Sequence, residues 1–121
     1  MVQKIDSLHL EVILILIRNK IHLREIARIL GESHSTILRK LNELIKRNII
    51  ETEPQGKNKL YSLKNNLMAK STIYMAENYK LTKLLKEYPK LSIILDEVSK
   101  KTDDKLIILF GSYAKFSANN N

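Results

Sequence analysis

The chain has 121 residues, a formal net charge of +8, and neither cysteine nor tryptophan. That length suits one domain, or one small domain with a helical appendage, and the lack of cysteine excludes disulfides, thiolate nucleophiles and Cys-based zinc sites. Hydrophobic residues make up 44 % of the chain and aromatics 6 %, which is too apolar for disorder and implies a core mostly of Leu and Ile, favouring helices over a β-sandwich. The basic excess points to a polyanion partner, nucleic acid or an anionic membrane surface, or else to a Lys-rich solvated surface. Residues 1–64 hold 12 Lys/Arg against 7 Asp/Glu and residues 65–121 hold 9 against 6, so the excess leans towards the first half. His9, His22 and His34 lack HExxH spacing, and no metal or other cofactor is expected. The longest apolar run, Val12 to Ile17, is too short to span a bilayer and no stretch reads as a signal peptide, so no membrane partner and a cytoplasmic location are expected.

In chain order, Ser7 is expected to cap a first helix that runs to about Arg18. Its Val12–Ile17 run is apolar all round, so a second apolar surface must cover it. Ile21-His22-Leu23 reads as a short extended piece. Arg24 to Leu30 predicts a compact helix with Ile26, Ala27 and Leu30 inward, ended by Gly31 in the left-handed region. Ser33 or Ser35 caps the next helix, which runs to about Asn48, with Ile37, Leu41, Leu44 and Ile45 as its apolar stripe. Lys46 and Arg47 lie in its last turn, where cations complement the helix dipole, and Asn48 can take the left-handed position.

Ile49–Glu53 and Lys59–Leu63 then read as the strands of a hairpin, with turn chemistry in Pro54–Asn58 between them. Helical pattern returns over residues 66 to about 80 and 81 to 88, as one broken or two abutting helices, and again from Lys90 after Pro89. Leu67, Ile73, Leu81, Leu84, Leu85, Leu91, Ile94, Leu95 and Val98 exceed what one small core needs. They are expected to pack on the Val12–Ile17 helix, within or across subunits of a homodimer. Lys105–Phe110 predicts a short buried strand running into Gly111-Ser112. The expected fold is mainly α with a small β-hairpin: a three-helix bundle plus hairpin over residues 1–64, followed by a C-terminal helical segment over residues 65–121.

The stretch LREIARILGESHSTILRKLNELIKRNIIE, with EPQGKNKLYSL after it, resembles the winged helix-turn-helix DNA-binding domains of bacterial and archaeal transcription regulators. Helix, Gly turn, Ser-x-Ser-Thr cap, second helix and hairpin wing follow in that order, and the likeness covers about residues 5 to 64. It implies sequence-specific binding of double-stranded DNA, with the recognition helix (about 34–48) in the major groove and the wing (54–59) on the adjacent backbone or minor groove. It further implies that Ser33, His34, Ser35, Thr36 and Arg39 face the groove. Arg39 can read a guanine edge with its fork, while Arg24, Lys40 and Lys46 touch flanking phosphates and Lys57, Asn58 and Lys59 act at the wing tip. In such folds the Ile21–Leu23 piece can join the hairpin as a third strand. Lys40, Lys46 and Arg47 have an ordinary solvated face as their alternative, His34 equally suits a solvated cap region, and winged helices also serve as protein-docking modules. Glu43 would repel phosphate and is expected to point away from the groove.

KLIILFGSYAK, residues 105–115, resembles the opening of the small nucleotidyltransferase fold, in which Gly-Ser-x-Ala-(Lys/Arg)-Gly precedes an Asp-x-Asp pair. Gly111 and Ser112 would then be vestigial nucleotide-binding residues. Phe116 stands where that family has Gly, Asp103 and Asp104 precede the strand, and the sequence ends at Asn121 before any acidic pair. No enzymatic activity is therefore expected. The alternative function is that of an accessory fragment of a nucleotidyltransferase whose catalytic carboxylates lie beyond Asn121; a chance strand-turn is the remaining explanation.

Overall fold

In the computed structural model of the chain, residues 4–102 are described. They form, in order, α1 (Ser7–Arg18), β1 (Ile21–His22), α2 (Leu23–Leu30), α3 (His34–Lys46), β2 (Ile50–Gln55), β3 (Asn58–Leu63), α4 (Leu67–Glu87) and α5 (Pro89–Thr102). The chain divides into two compact units that part between Ala76 and Glu77, inside α4.

The first unit is built on one apolar core. Val12, Ile13 and Leu16 of α1, Ile26 and Ala27 of α2, and Ile37, Leu41 and Leu44 of α3 are buried together with Ile49, Ile50, Tyr61, Ala69 and Ala76. The all-apolar α1 is covered further round its circumference, because Leu14, Ile15 and Ile17 are half-buried against the same core. Its start differs from expectation. Asp6 is the N-cap, its carboxylate accepting the His9 N–H at 3.0 Å, while His9 Nδ1 accepts the Asp6 N–H at 2.9 Å. This reciprocal pair satisfies two otherwise unbonded amides, and a carboxylate also complements the positive end of the helix dipole, so Asp6 displaces Ser7 to the first helical position.

Two reversals of the chain use the left-handed region. Gly31 (φ 65°) ends α2 and lets the Glu32 N–H donate to the Ala27 carbonyl at 3.0 Å; Asn48 (φ 65°) follows α3. Ser33, not Ser35, caps α3. Ile45, expected inside, stands 37 % exposed, because the buried arc of α3 is completed by Lys40 instead.

Among the described residues the sheet has three antiparallel strands in the order β1-β3-β2. Ile21 pairs with Tyr61 and His22 with Leu60, so the short extended piece does join the hairpin. The hairpin runs in register from Ile50↔Leu63 to Gln55↔Asn58. Its loop is therefore only Gly56-Lys57, tighter than the five residues expected. Gly56 has φ 61° and Lys57 does not share the positive sign, the pattern of a type II′ turn. Pro54 belongs to β2, where an edge strand tolerates the missing N–H.

Asn66 starts α4: its side-chain oxygen accepts the Ala69 N–H at 2.7 Å and its amide donates to the Asn48 carbonyl at 3.0 Å. α4 is one continuous helix through residue 81, where a break was expected; no Gly or Pro interrupts it. Ala69, Thr72 and Ala76 face the core with Ile73 partly buried beside them, whereas Leu67, Met68, Tyr74 and Met75 lie exposed on the other side. In the second unit, Pro89 opens α5 at the position where its lost N–H is harmless. Leu81, Leu84, Leu85, Leu91 and Leu95 are half-buried there and Tyr88, Ile93, Ile94 and Val98 exposed. The expected strand at 105–110 lies outside the described residues.

Partial burial acts to raise the Asp6 carboxyl, yet hydrogen bonds from the Lys40 ammonium and the His9 backbone N–H, with the positive charge of Lys40 behind the first, outweigh it and hold its pKa at about 2 against 3.8. A folded-state pKa below the unfolded one stabilises the fold above the unfolded value and ceases to do so as pH falls through the folded one. Asp6→Ala is expected to lower stability at neutral pH by about 1 kcal/mol, as loss of a helix cap does. In denaturation followed by circular dichroism, that gap from the unmodified chain should shrink between about pH 4 and about pH 2; a gap independent of pH there would remove Asp6 from this role.

Candidate nucleic-acid interface

The start of α3 is organised by its hydroxyls. Ser33 Oγ accepts the Thr36 N–H at 3.2 Å and donates to Thr36 Oγ1 at 2.8 Å, with Ser35 Oγ 3.3 Å away. Ser33 and Thr36 thus spend part of their bonding capacity on each other, and His34 and Ser35 are left exposed on the first turn.

Further along α3, Ser35, Leu38, Arg39, Asn42, Glu43 and Lys46 line an open groove of about 440 Å³. Their spacing of three and four residues puts them on one helical face. Arg39 and Lys46 are exposed there. Glu43 is half-buried and engaged from behind: His9 Nδ1 already accepts the Asp6 N–H, so the ring proton is on Nε2, which donates to Glu43 Oε1 at 2.9 Å. Lys40 Nζ lies 3.9 Å from the same oxygen. Glu43 therefore borders the groove with its charge drawn inward.

Lys40 itself is a correction. It was expected on phosphates, but it is 8 % exposed and its ammonium donates to Asp6 Oδ2. The cause is its place in the sequence: position 40 falls three residues after Ile37 and four before Leu44, inside the buried arc, so its stem runs through the core edge to a carboxylate.

The other expected contacts lie on the surface. Arg24 is exposed on the first turn of α2, and Lys57, Asn58 and Lys59 are exposed at the tip of the β2–β3 hairpin. His22 Nδ1–H donates to the Lys59 carbonyl at 3.0 Å and Lys20 pairs with Glu53 at 3.2 Å, bracing the middle and outer part of the hairpin from the β1 side. Among the described residues, Arg24, Arg39, Lys46, Lys57 and Lys59 are in no ion pair. Five exposed cations without carboxylates are available to an external polyanion.

Solved structures share this arrangement of helices and hairpin. The adhesin competence repressor from Streptococcus pyogenes matches 93 % of this chain and 82 % of its own at a TM-score of 0.61 and 14 % identity. The transcriptional repressor BigR from Xylella fastidiosa matches 64 % and 76 % at 0.57 and 18 % identity. The homodimeric winged helix-turn-helix DNA-binding domain of a possible ArsR-family transcriptional regulator from Mycobacterium bovis matches 66 % and 70 % at 0.51 and 14 % identity.

The fold is a winged helix-turn-helix.

No protein-family model and no curated protein matches the chain by sequence. The winged helix assigns names to the parts: α2 and α3 are the helix-turn-helix, α3 its recognition helix and β2–β3 the wing. The nucleotidyltransferase likeness, with Gly111 and Ser112, falls on residues outside those described, and the structural neighbours do not show it. Among the described residues no group of three or more His, Asp or Glu is placed to hold a metal, and no helix is long and apolar enough to cross a membrane.

Sequence reasoning missed Leu38 and Asn42. Counting three, four and seven residues on from Ser35 would have put Leu38, Arg39 and Asn42 on one face. Leu38 escaped notice because a leucine in a helix reads as core.

The two neighbours Arg39 and Lys40 are expected to separate in denaturant. Lys40→Ala should lower unfolding stability by about 1–2 kcal/mol, because a half-exposed Asp6 screens part of the loss. Arg39→Ala should stay within about 0.5 kcal/mol of the unmodified chain. Equal effects would contradict the inward and outward placement of the two side chains.

Proposed function

We propose that this chain binds double-stranded DNA as a transcriptional regulator, with α3 in the major groove and the wing on the adjacent backbone or minor groove. The observation that carries the reading is the set of five unpaired exposed cations on α2, α3 and the wing, borne by a winged helix-turn-helix. Arg39 reads a guanine edge through its two-pronged guanidinium. His34 and Ser35 approach the groove from the first turn, and Ser33 and Thr36 support it while offering their remaining bonding capacity to phosphate. Arg24 and Lys46 hold flanking phosphates, and Lys57, Asn58 and Lys59 hold the backbone beside the wing. The chemistry is recognition, not catalysis, and a DNA partner implies a cytoplasmic location.

The protein acts as a homodimer in this reading. The exposed apolar stripe Leu67, Met68, Tyr74 and Met75 on α4 supports a self-complementary contact, as two-fold proteins match two-fold operators. The structural neighbour from Mycobacterium bovis is a homodimeric domain.

Titration with random duplex DNA tests the central claim. Affinity should fall with salt at a log–log slope of about −0.9 for each phosphate contacted. At a site selected from a random pool, Arg39→Ala should cost about 1–3 kcal/mol and relax preference at one position, whereas Lys57→Ala should weaken all duplexes alike. A response flat in salt would sink the DNA reading and favour protein docking. Light scattering at micromolar concentration should return twice the chain mass; a single-chain mass would remove the dimer.

A further inference from the structure

Leu38 and Asn42 carry no charge to attract phosphate, and Leu38, though partly packed, keeps 39 % of its surface in solvent. It stands on the groove face of α3, an apolar stem between the polar Ser35 and Asn42. Asn42 is exposed and presents both a donor and an acceptor. Four residues apart, they stand one above the other, about 6 Å along the helix axis. Bases follow one another about every 3.4 Å along a strand, so the pair spans about two base steps. Arg39, next to Leu38, and Lys46, one turn beyond Asn42, flank them with positive charge that draws in a polyanion without distinguishing one base from another at these two positions.

The chemistry of a major groove offers each residue one good match. The only apolar group on a base edge there is the C5 methyl of thymine, and a side-chain amide fits the N6 donor and N7 acceptor of adenine with two hydrogen bonds. A phosphate satisfies Asn42 but gives Leu38 nothing.

We infer that Leu38 and Asn42 are specificity-determining residues, Leu38 selecting a thymine by its methyl group and Asn42 selecting an adenine within about two base steps of it. This rests on the placement of α3 in the major groove proposed above, and deepens it from binding DNA to reading a thymine and an adenine.

The test uses the full chain and a duplex selected by it from a random pool, with affinity read by fluorescence anisotropy. Each thymine is replaced in turn by uracil, which removes only the methyl group, and each adenine by 7-deazaadenine, which removes the N7 acceptor. At one thymine the substitution should weaken binding about fourfold, the worth of one buried methyl. In the Leu38→Ala variant the same substitution should have no effect. At one adenine, within two steps, 7-deazaadenine should weaken binding in a way that Asn42→Ala abolishes, and Asn42→Ala should itself cost about 5- to 150-fold on the natural site. The uracil and deazaadenine series on the unmodified chain need no variant to fold. Salt-dependent binding with no thymine sensitive to methyl removal, or sensitivity that survives in Leu38→Ala, overturns this inference and leaves the DNA reading intact. Failure to bind any duplex at any salt overturns the DNA reading and this inference with it.

Discussion

Lys40 and His9 reach across the junction of α1 and α3 in opposite directions. The ammonium of Lys40 on α3 meets the carboxylate that caps α1, and the imidazole of His9 on α1 meets Glu43 on α3. Both residues are buried, at 8 % and 2 % exposure, so either one left without its partner would be a costly polar group in a low-dielectric setting. Together with Ile37, Leu41 and Leu44 they fix the rotation of α3 about its axis. A turn of one residue in either direction would replace Lys40 by Arg39 or Leu41 at the carboxylate and bring a different set of side chains to the surface. The face made by Ser35, Leu38, Arg39, Asn42 and Lys46 exists because the opposite face is pinned.

The hairpin is held by a different device. Its root is packed into the core through Ile50, but its middle and outer part are tied sideways to β1, through two residue pairs and the His22 bond to the Lys59 carbonyl. Only Ile50 of β2 and Tyr61 of β3 are buried. The wing therefore depends on backbone pairing and on one glycine in its loop, while α3 depends on buried side chains. The two surfaces that the proposed function unites are supported by unrelated physical means, and each can be damaged without the other.

Much of this was legible from residue spacing. The recurrence of Ile37, Leu41 and Leu44 at steps of four and three, the Gly31 turn, the left-handed Asn48 and the two strands around Gly56 each follow from local rules that the tertiary structure does not override. What was not legible depends on contacts between distant segments. Nothing local says that Lys40 turns inward, since that requires Asp6, 34 positions earlier, to be waiting at the start of α1. The capping role of Asp6 over Ser7 was settled by His9, whose ring answers the backbone amide in a way that Glu or Gln more commonly does. α4 looked broken because its apolar residues are distributed over two faces, one against the core and one exposed. For the candidate site, the cations were identifiable by type and position, whereas Leu38 and Asn42 emerged only once the inward arc was known.

Among the described residues, the strand order β1-β3-β2 leaves β2 with one side open. Such a strand is a template on which another chain can add, and proteins that keep a hairpin standing in solvent must prevent it. Here the open strand carries Glu51, whose charge would meet that of an identical neighbour, and Pro54, which has no amide proton to offer a ladder. The wing can thus stay exposed to a partner of opposite charge without becoming a seed for aggregation with copies of itself.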